Sequence, residues 1–248
     1  MTYCVAITTD AGLVFCSDSR TNAGVDQVST YGKMYHFQVP GERQFVILSA
    51  GNLATTQAVI SQVKRDLRDN APNSLKTMPD LSEAASYLGE ISRQEQDRHA
   101  SPDGPNAGAS FEASFIIGGQ IRGDKPRLAM VYPQGNHITT SKDTPYLQIG
   151  ESKYGKPILD RILTAATSLE IAGRCALVSM DSTMRSNLTV GPPIDLGIYP
   201  VDSFALERMR FEEDDEYLRS LTRSWNQNLI EAFDRLPPLA AETELDLE

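Results

Sequence analysis

The sequence contains few of the residues that bind metals or form disulfides. It has three histidines and three cysteines among 248 residues, and neither set shows the spacing of a metal site. An odd number of cysteines without such spacing is typical of a reducing compartment, so we expect a cytoplasmic protein. There is also no glycine-rich phosphate loop followed by lysine. The sequence therefore predicts no metal, nucleotide or other cofactor.

Basic runs and long apolar runs are missing as well. The formal net charge is −10, and no cluster of arginines and aromatic residues offsets it, which argues against nucleic-acid binding. The apolar segments are much shorter than the roughly 20 residues that cross a bilayer, so no membrane partner is predicted. The opening, MTYCVAITTD, contains the polar residues Thr2, Thr8, Thr9 and Asp10 and lacks the charged n-region of a secretory signal. We expect neither a leader nor a pro-segment.

What the sequence does contain is an ordered series of apolar patterns. Strands are predicted at 2–9, 13–17, 33–39, 44–49, 113–120, 127–132, 137–139 and 194–199, from period-two patterns and turn residues. Helices are predicted at 52–70, from 80 onward with a capping box, at 153–165, at 168–184 and at about 208–236, from apolar residues at helical spacing.

The order of these elements predicts the fold class. Strands and helices occur in blocks and do not alternate, which favours an α+β protein with antiparallel sheets and helices on the outer faces. We expect one domain over residues 1–236. The acidic segment 237–248 is predicted to be a flexible tail.

Thr2 is a candidate nucleophile. Methionine aminopeptidases remove Met1 when the next side chain is small, and the hydroxyl and a free α-amine would then lie on one residue. An α-amine has a pKa of about 7.7–8.0, so it can act as a base near neutral pH. An N-terminal threonine is thus a nucleophile with its own base, although many proteins begin with Met-Thr for no catalytic reason.

Three further positions could support this chemistry. Asp18 follows a predicted strand, and Lys33 begins another strand that would lie near the first. A lysine beside the hydroxyl, held by an aspartate, would favour its ionisation. Gly51 lies between a strand and a helix, where its N–H could stabilise an oxyanion. Each feature also has a simpler explanation. Asp18 could belong to a turn with a local ion pair, Lys33 could be a solvated charge at a sheet edge, and Gly51 could be needed only for the turn between strand and helix.

Taken together, these residues resemble a proteasome-type β subunit. The segments MTYCVAI, SDSRTNAGVD, YGKM and SMDSTMRSNLTVGPPIDLGIY are more closely similar to the bacterial Anbu family, the "ancestral β subunit" group. The resemblance extends from Thr2 to Tyr199. It implies an N-terminal nucleophile hydrolase fold, in which two antiparallel sheets are sandwiched between helical layers in a four-layer αββα arrangement.

The resemblance also implies site roles and partners. Thr2 corresponds to the nucleophile, Asp18 and Lys33 to the supporting pair, and Gly51 to the oxyanion donor. The implied supporting residues are Arg20, Asp181 and Ser182, with Asp181 on the loop after a helix pair and in contact with the N-terminal amine. The substrate, a peptide or an unfolded protein, would add as an extended strand against Thr21 and Asn22. A homo-oligomer, ring or open spiral, is expected, and an unfoldase partner is left open.

Three departures from the family pattern concern the region around the amine. The interval from Asp18 to Lys33 is one residue shorter than is usual in proteasomal subunits. Met184 stands where many family members have serine, and Glu151 follows Gly150 where the family has Gly-Ser. The sequence therefore predicts a threonine-type endopeptidase with weak or specialised activity. Two alternatives remain open, namely an amidase for a non-peptide amide and a scaffold subunit with little turnover.

Overall fold

The structure is a computed structural model that describes residues 1–22, 28–99 and 110–238. The chain divides into two compact units, Met1–Glu213 and a shorter unit that begins at Asp214. The predicted acidic tail lies outside the described residues from position 239 onward. Among the helices in the described ranges, none is long and apolar enough to span a bilayer.

The described elements are twelve strands and five helices. The strands are β1 (Tyr3–Thr9), β2 (Gly12–Asp18), β3 (Arg20–Asn22), β4 (Val28–Thr30), β5 (Met34–Val39), β6 (Arg43–Gly51), β7 (Ala113–Ile121), β8 (Arg127–Val131), β9 (His137–Thr139), β10 (Tyr146–Gly150), β11 (Ile194–Pro200) and β12 (Glu207–Phe211). The helices are α1 (Leu53–Arg68), α2 (Leu81–His99), α3 (Lys156–Ile162), α4 (Leu169–Ser186) and α5 (Glu216–Asp234).

Two five-stranded antiparallel sheets form the centre of the first unit. One sheet has the strand order β10-β1-β2-β11-β12, the other has the order β5-β6-β7-β8-β9, and β3 and β4 form a separate two-stranded ribbon. Apolar side chains of both large sheets, such as Phe15, Leu48 and Ile116, meet in a buried cluster between them. This cluster holds the sheets face to face, because burying apolar surface is the main favourable contribution to folding.

Helices cover the outer face of each sheet. A second buried cluster joins α1 and α2 to the sheet that contains β6 and β7, through side chains such as Val59, Leu88 and Phe115. Helix α4 packs on β1, β2 and β11, with α3 beside it. The layers are therefore helices, sheet, sheet, helices, and the predicted α+β four-layer αββα sandwich is confirmed.

Two of the predicted helices, at 153–165 and at about 208–236, have wrong boundaries. Residues 207–211 form the edge strand β12, so the last helix begins at Glu216 and not near 208. Four of the five residues of β12 are exposed, and a strand of this kind has no apolar alternation. The last helix begins instead where the Asp215 side chain accepts a hydrogen bond from the Leu218 N–H, an N-cap. The helix predicted over 153–165 is shorter, at Lys156–Ile162, with a proline in its first turn.

Candidate active site

Asp18 and Lys33 form a buried ion pair at the end of β2. Lys33 Nζ lies 2.8 Å from Asp18 Oδ1, and the side chains are 8% and 0% exposed. Lys33 Nζ also donates to the Arg20 carbonyl at 2.7 Å. Asp18 Oδ1 accepts from the Tyr3 N–H at 3.1 Å, and Oδ2 accepts from the Gly191 N–H at 3.4 Å. The aspartate is thus anchored to the first strand and directs the lysine.

Burial and charge act in opposite directions on this carboxyl group. Burial raises the pKa of Asp18, while the Lys33 ammonium and the N–H groups of Tyr3 and Gly191 lower it. The net direction is upward, so Asp18 takes up a proton at a higher pH than an exposed aspartate does. Among the groups that lower the pKa of Asp18, Lys33 has the largest effect. The charged form of Asp18 therefore depends on the presence of Lys33.

Four of the predicted residues line a single cleft. The cleft has a volume of about 510 Å³, and its lining includes Thr2, Thr21, Lys33 and Gly51. Asp18 lies behind the lysine and is completely buried. The structure therefore brings the candidate nucleophile, the cation and the candidate oxyanion donor to one opening. Only the backbone of Asn22 belongs to the described residues, paired with Val28 in the ribbon.

Gly51 occupies a backbone conformation that favours glycine. It ends β6 with φ +110°, and a Cβ at this position would lie 2.4 Å from the Glu112 carbonyl oxygen. Helix α1 begins two residues later, with Asn52 as N-cap and no acidic residue in the first turn. The positive end of the helix dipole thus lies next to Gly51 and is not neutralised locally.

We expect Gly51→Ala to destabilise the protein by at least about 1–3 kcal/mol, because alanine is strained at this φ and meets the Glu112 carbonyl. Gly32→Ala is the matched control, since a Cβ there has no neighbour within 4 Å and should change stability by no more than about 0.5 kcal/mol. Thermal or urea unfolding measures both. Equal stability of the two variants would contradict the backbone argument.

The N-terminal amine lies in a charged, partly buried environment. Burial and the Lys33 ammonium lower the pKa of the Met1 amine, whereas the carboxylates of Asp18 and Glu151 raise it. The net direction is downward, which increases the neutral fraction of an amine near pH 7. The Met1 amine therefore loses its proton at a lower pH than an exposed α-amine does.

Glu151 was noted in the sequence only as a departure from the family pattern, yet it lies beside Thr2. Its N–H donates to the Thr2 carbonyl at 2.7 Å. Its Oε2 accepts from Asn187 Nδ2 at 3.1 Å. The sequence places Glu151 near the amine without assigning it a role, and it gives no indication of Asn187. The one feature of the sequence that pointed to Glu151 was the glycine before it, which matches the glycine of the family's Gly-Ser pair. No local pattern connects Glu151 with Asn187.

The segment that follows α4 contacts the site at three points. Besides the bond from Asn187, the Leu188 carbonyl accepts from Arg20 Nη1 at 3.0 Å, and the Gly191 N–H donates to Asp18. The Arg20 guanidinium also lies against Gly191. Arg20 thereby connects the β3 ribbon to the segment 187–191. This segment contacts the ion pair through the bond from the Gly191 N–H to Asp18.

Asp181 and Ser182 lie inside α4 and not on a loop after it. The helix continues to Ser186 and ends at the C-cap Asn187, whose N–H donates to the Thr183 carbonyl. Asp181 is buried, and its Oδ2 is 3.9 Å from Arg185 Nε, which is beyond hydrogen-bond distance. Ser182 is half-buried. Their supporting roles stay predictions, with the placement corrected from loop to helix.

The described residues contain no group of three or more His, Cys, Asp or Glu side chains placed to hold a metal ion. The three cysteines are buried and free, and burial raises the pKa of the Cys4 and Cys16 thiols well above the usual range. The thiols are thus poor nucleophiles. Among the described side chains that line the cleft, this leaves hydroxyl and ammonium groups as the reactive ones.

Comparisons with known proteins give matches among solved structures. Anbu (ancestral β-subunit) from Yersinia bercovieri is 48% identical with a TM-score of 0.90, covering 98% of this chain and 100% of that one. The helical assembly of the Anbu complex from Pseudomonas aeruginosa is 48% identical with a TM-score of 0.92 and the same coverage. A Gly-1 mutant of Anbu from Hyphomicrobium sp. strain MC1 is 45% identical with a TM-score of 0.90, covering 97% of this chain and 100% of that one.

No protein-family model matches the chain, and no curated protein matches it. The structural matches extend over nearly the whole sequence at 45–48% identity. The chain therefore belongs to the Anbu family of proteasome-related ancestral β subunits.

Proposed function

We propose that the protein is a threonine-type amidohydrolase subunit that cleaves peptides or unfolded protein after removal of Met1. The observation that supports this most directly is the cleft shared by Thr2 and Lys33, with Lys33 held by the buried Asp18 at 2.8 Å. A lysine ammonium fixed in this way stabilises a neighbouring alkoxide.

The reaction follows from the groups around the cleft. Thr2 Oγ1 attacks the carbonyl carbon of the scissile amide, and its proton passes to the free α-amine of Thr2. The oxyanion of the tetrahedral intermediate accepts a hydrogen bond from the Gly51 N–H. The C–N bond then breaks, the leaving amine takes the proton, and an ester to Thr2 remains.

Hydrolysis of the ester uses the same groups. A water molecule gives a proton to the α-amine and its oxygen attacks the ester carbonyl. The C–O bond to Thr2 breaks, the carboxylic product leaves, and the proton returns to Oγ1. Lys33 stabilises the alkoxide in both steps, and Asp18 keeps the ammonium in place.

The substrate would bind as an extended strand along the cleft. Thr21 in β3 and Gly51 at the end of β6 both lie on the lining with Thr2, so two strands contribute backbone to the cleft. Strand addition of this kind supplies affinity through main-chain hydrogen bonds.

We propose a homo-oligomer for the same chain, because the 48% identical Pseudomonas aeruginosa protein forms a helical assembly. We place it in the cytoplasm, in agreement with its free cysteines.

Two other functions remain to be separated from this one. An amidase for a small non-peptide amide would use the same residues, since the fold alone does not determine the substrate. A scaffold subunit with little turnover would result if Met1 stayed on the chain. A chain that retains Met1 has no free amine on Thr2.

Turnover of peptide substrates and of small amides, compared on the same preparation, tests the proposal. We expect hydrolysis of unstructured peptides and slower hydrolysis of small amides. Preferential turnover of small amides would support the amidase. No turnover of either class by protein with a free Thr2 amine would support the scaffold and contradict the proposal.

A further inference from the structure

The turn after β10 holds Glu151 next to the start of the chain. Strands β1 and β10 pair with Tyr3 opposite Gly150. Gly150 has φ +81°, and a Cβ there would lie 2.0 Å from the Thr2 carbonyl oxygen. A side chain at position 150 is therefore excluded, and the chain turns closely around Thr2. The bond from the Glu151 N–H to the Thr2 carbonyl, at 2.7 Å, fixes the next residue in place.

Asn187 holds the Glu151 carboxylate from the other side. Asn187 Oδ1 accepts from both the N–H of Thr189, at 3.0 Å, and its hydroxyl. A backbone N–H can only donate, so the amide oxygen must point toward Thr189 and the NH₂ group toward Glu151. This NH₂ group donates to Oε2 of Glu151 at 3.1 Å. Within residues 1–22, 28–99 and 110–238, no hydrogen bond to the other carboxylate oxygen, Oε1, is found, so this oxygen can accept from a second donor.

The other nearby carboxylate already has its donors. Lys33, Asp18 and Glu151 are the charged groups that act on the amine of Met1, the residue directly before Thr2. Asp18 Oδ1 accepts from both Lys33 and the Tyr3 N–H. Its Oδ2 accepts from Gly191. Glu151 is thus the carboxylate with an oxygen available to an amine on Thr2.

We propose that Glu151, fixed by Asn187, is the positioning residue that binds and orients the α-amine of Thr2. This is the role that the sequence resemblance assigned to Asp181. Oriented by Glu151, the amine keeps its lone pair directed at Oγ1 once it is neutral. The inference rests on the proposed function in one respect, namely that Thr2 has a free amine.

The test measures the titration of the Thr2 amine and requires no turnover. Protein that begins at Thr2 is prepared by cleaving off a fused leader with a specific protease. The amine is labelled with trace acetic anhydride at a series of pH values, and mass spectrometry of the N-terminal peptide gives its pKa. Wild type, Glu151→Gln and Asp181→Asn are compared, with thermal unfolding as a check on folding.

We expect Glu151→Gln to lower the pKa of the Thr2 amine, because removing a nearby anion disfavours the ammonium form. Asp181→Asn is expected to leave this pKa unchanged. Asn187→Ala, which releases the carboxylate without removing it, should shift the pKa in the same direction by a smaller amount, and it serves as the second variant if Glu151→Gln does not fold. An unchanged pKa in the Glu151 and Asn187 variants, or an equal shift in Asp181→Asn, would overturn the inference.

The two proposals fail in different ways. A pKa shift in Glu151→Gln without hydrolysis by the wild type would support the positioning role and reject the peptidase. Hydrolysis with no pKa shift would retain the peptidase and reject the role of Glu151. Where turnover is measurable, the acidic limb of the rate profile should move to lower pH in Glu151→Gln, because the amine is then neutral at lower pH.

Discussion

Thr2→Ala is expected to reduce hydrolysis by at least about 10³-fold, since removing the nucleophile of a covalent mechanism eliminates the acyl-enzyme. The protein should remain folded, because Thr2 precedes β1 and its backbone bond to Glu151 does not depend on the side chain. The measurement is turnover of an unstructured peptide together with thermal unfolding of both proteins.

Thr2→Ser is the matched control for this variant. Serine keeps a hydroxyl at the same position and is also a small residue, so Met1 should still be removed. We expect measurable activity in Thr2→Ser and none in Thr2→Ala. Unchanged turnover in Thr2→Ala would mean that another group attacks the substrate.

Lys33→Ala is expected to have the largest effect on stability, about 3–5 kcal/mol, because it leaves the buried carboxylate of Asp18 without its cation. Turnover should also be lost, since the ammonium no longer stabilises the Thr2 alkoxide. Urea unfolding at pH 7 and peptide hydrolysis measure the two effects. The combined variant Asp18→Asn with Lys33→Met should recover part of the stability and none of the activity.

The exposed ion pair between Arg174 and Glu170 provides the matched control. Its atoms are 2.9 Å apart, close to the distance in the buried pair, but the two side chains are 51% and 68% exposed. Arg174→Ala should therefore change stability by no more than about 1 kcal/mol. If Arg174→Ala and Lys33→Ala lost equal stability, burial would not be what makes the Asp18–Lys33 pair important.

Much of the fold could be predicted from local patterns. Strands β1, β2, β6, β7, β8 and β11 have apolar residues in runs or alternation, and each was predicted within one or two residues at either end. The helices α1 and α2 were predicted from apolar spacing and capping residues; in α2, the Asp80 carboxylate accepts from the Glu83 N–H. These features depend on neighbouring residues, so a sequence is sufficient to find them.

The strands that were missed depend on pairing with distant partners. Strand β12 is mostly exposed and forms because it pairs with β11 at the edge of its sheet. Strand β10 pairs with β1, more than a hundred residues earlier in the chain. The ribbon of β3 and β4 consists of two three-residue strands. In each case tertiary pairing decides the structure, and local propensity does not.

The candidate site was predictable to the extent that its residues lie at ends of regular elements. Thr2, Asp18, Lys33 and Gly51 all flank or end strands, and the structure places three of them on one cleft with Asp18 behind. The contact between Glu151 and Asn187 joins a turn to the end of a helix. Such a contact between distant segments has no counterpart in the spacing of the sequence.

The central claim is that Thr2 acts as an N-terminal nucleophile with its own amine as base. Its most direct test is mass spectrometry of the N-terminal peptide after treating protein from its native host with a peptide epoxyketone. We predict that Met1 is absent and that Thr2 is covalently modified. A retained Met1, or an unmodified Thr2 with a free amine, would contradict this account.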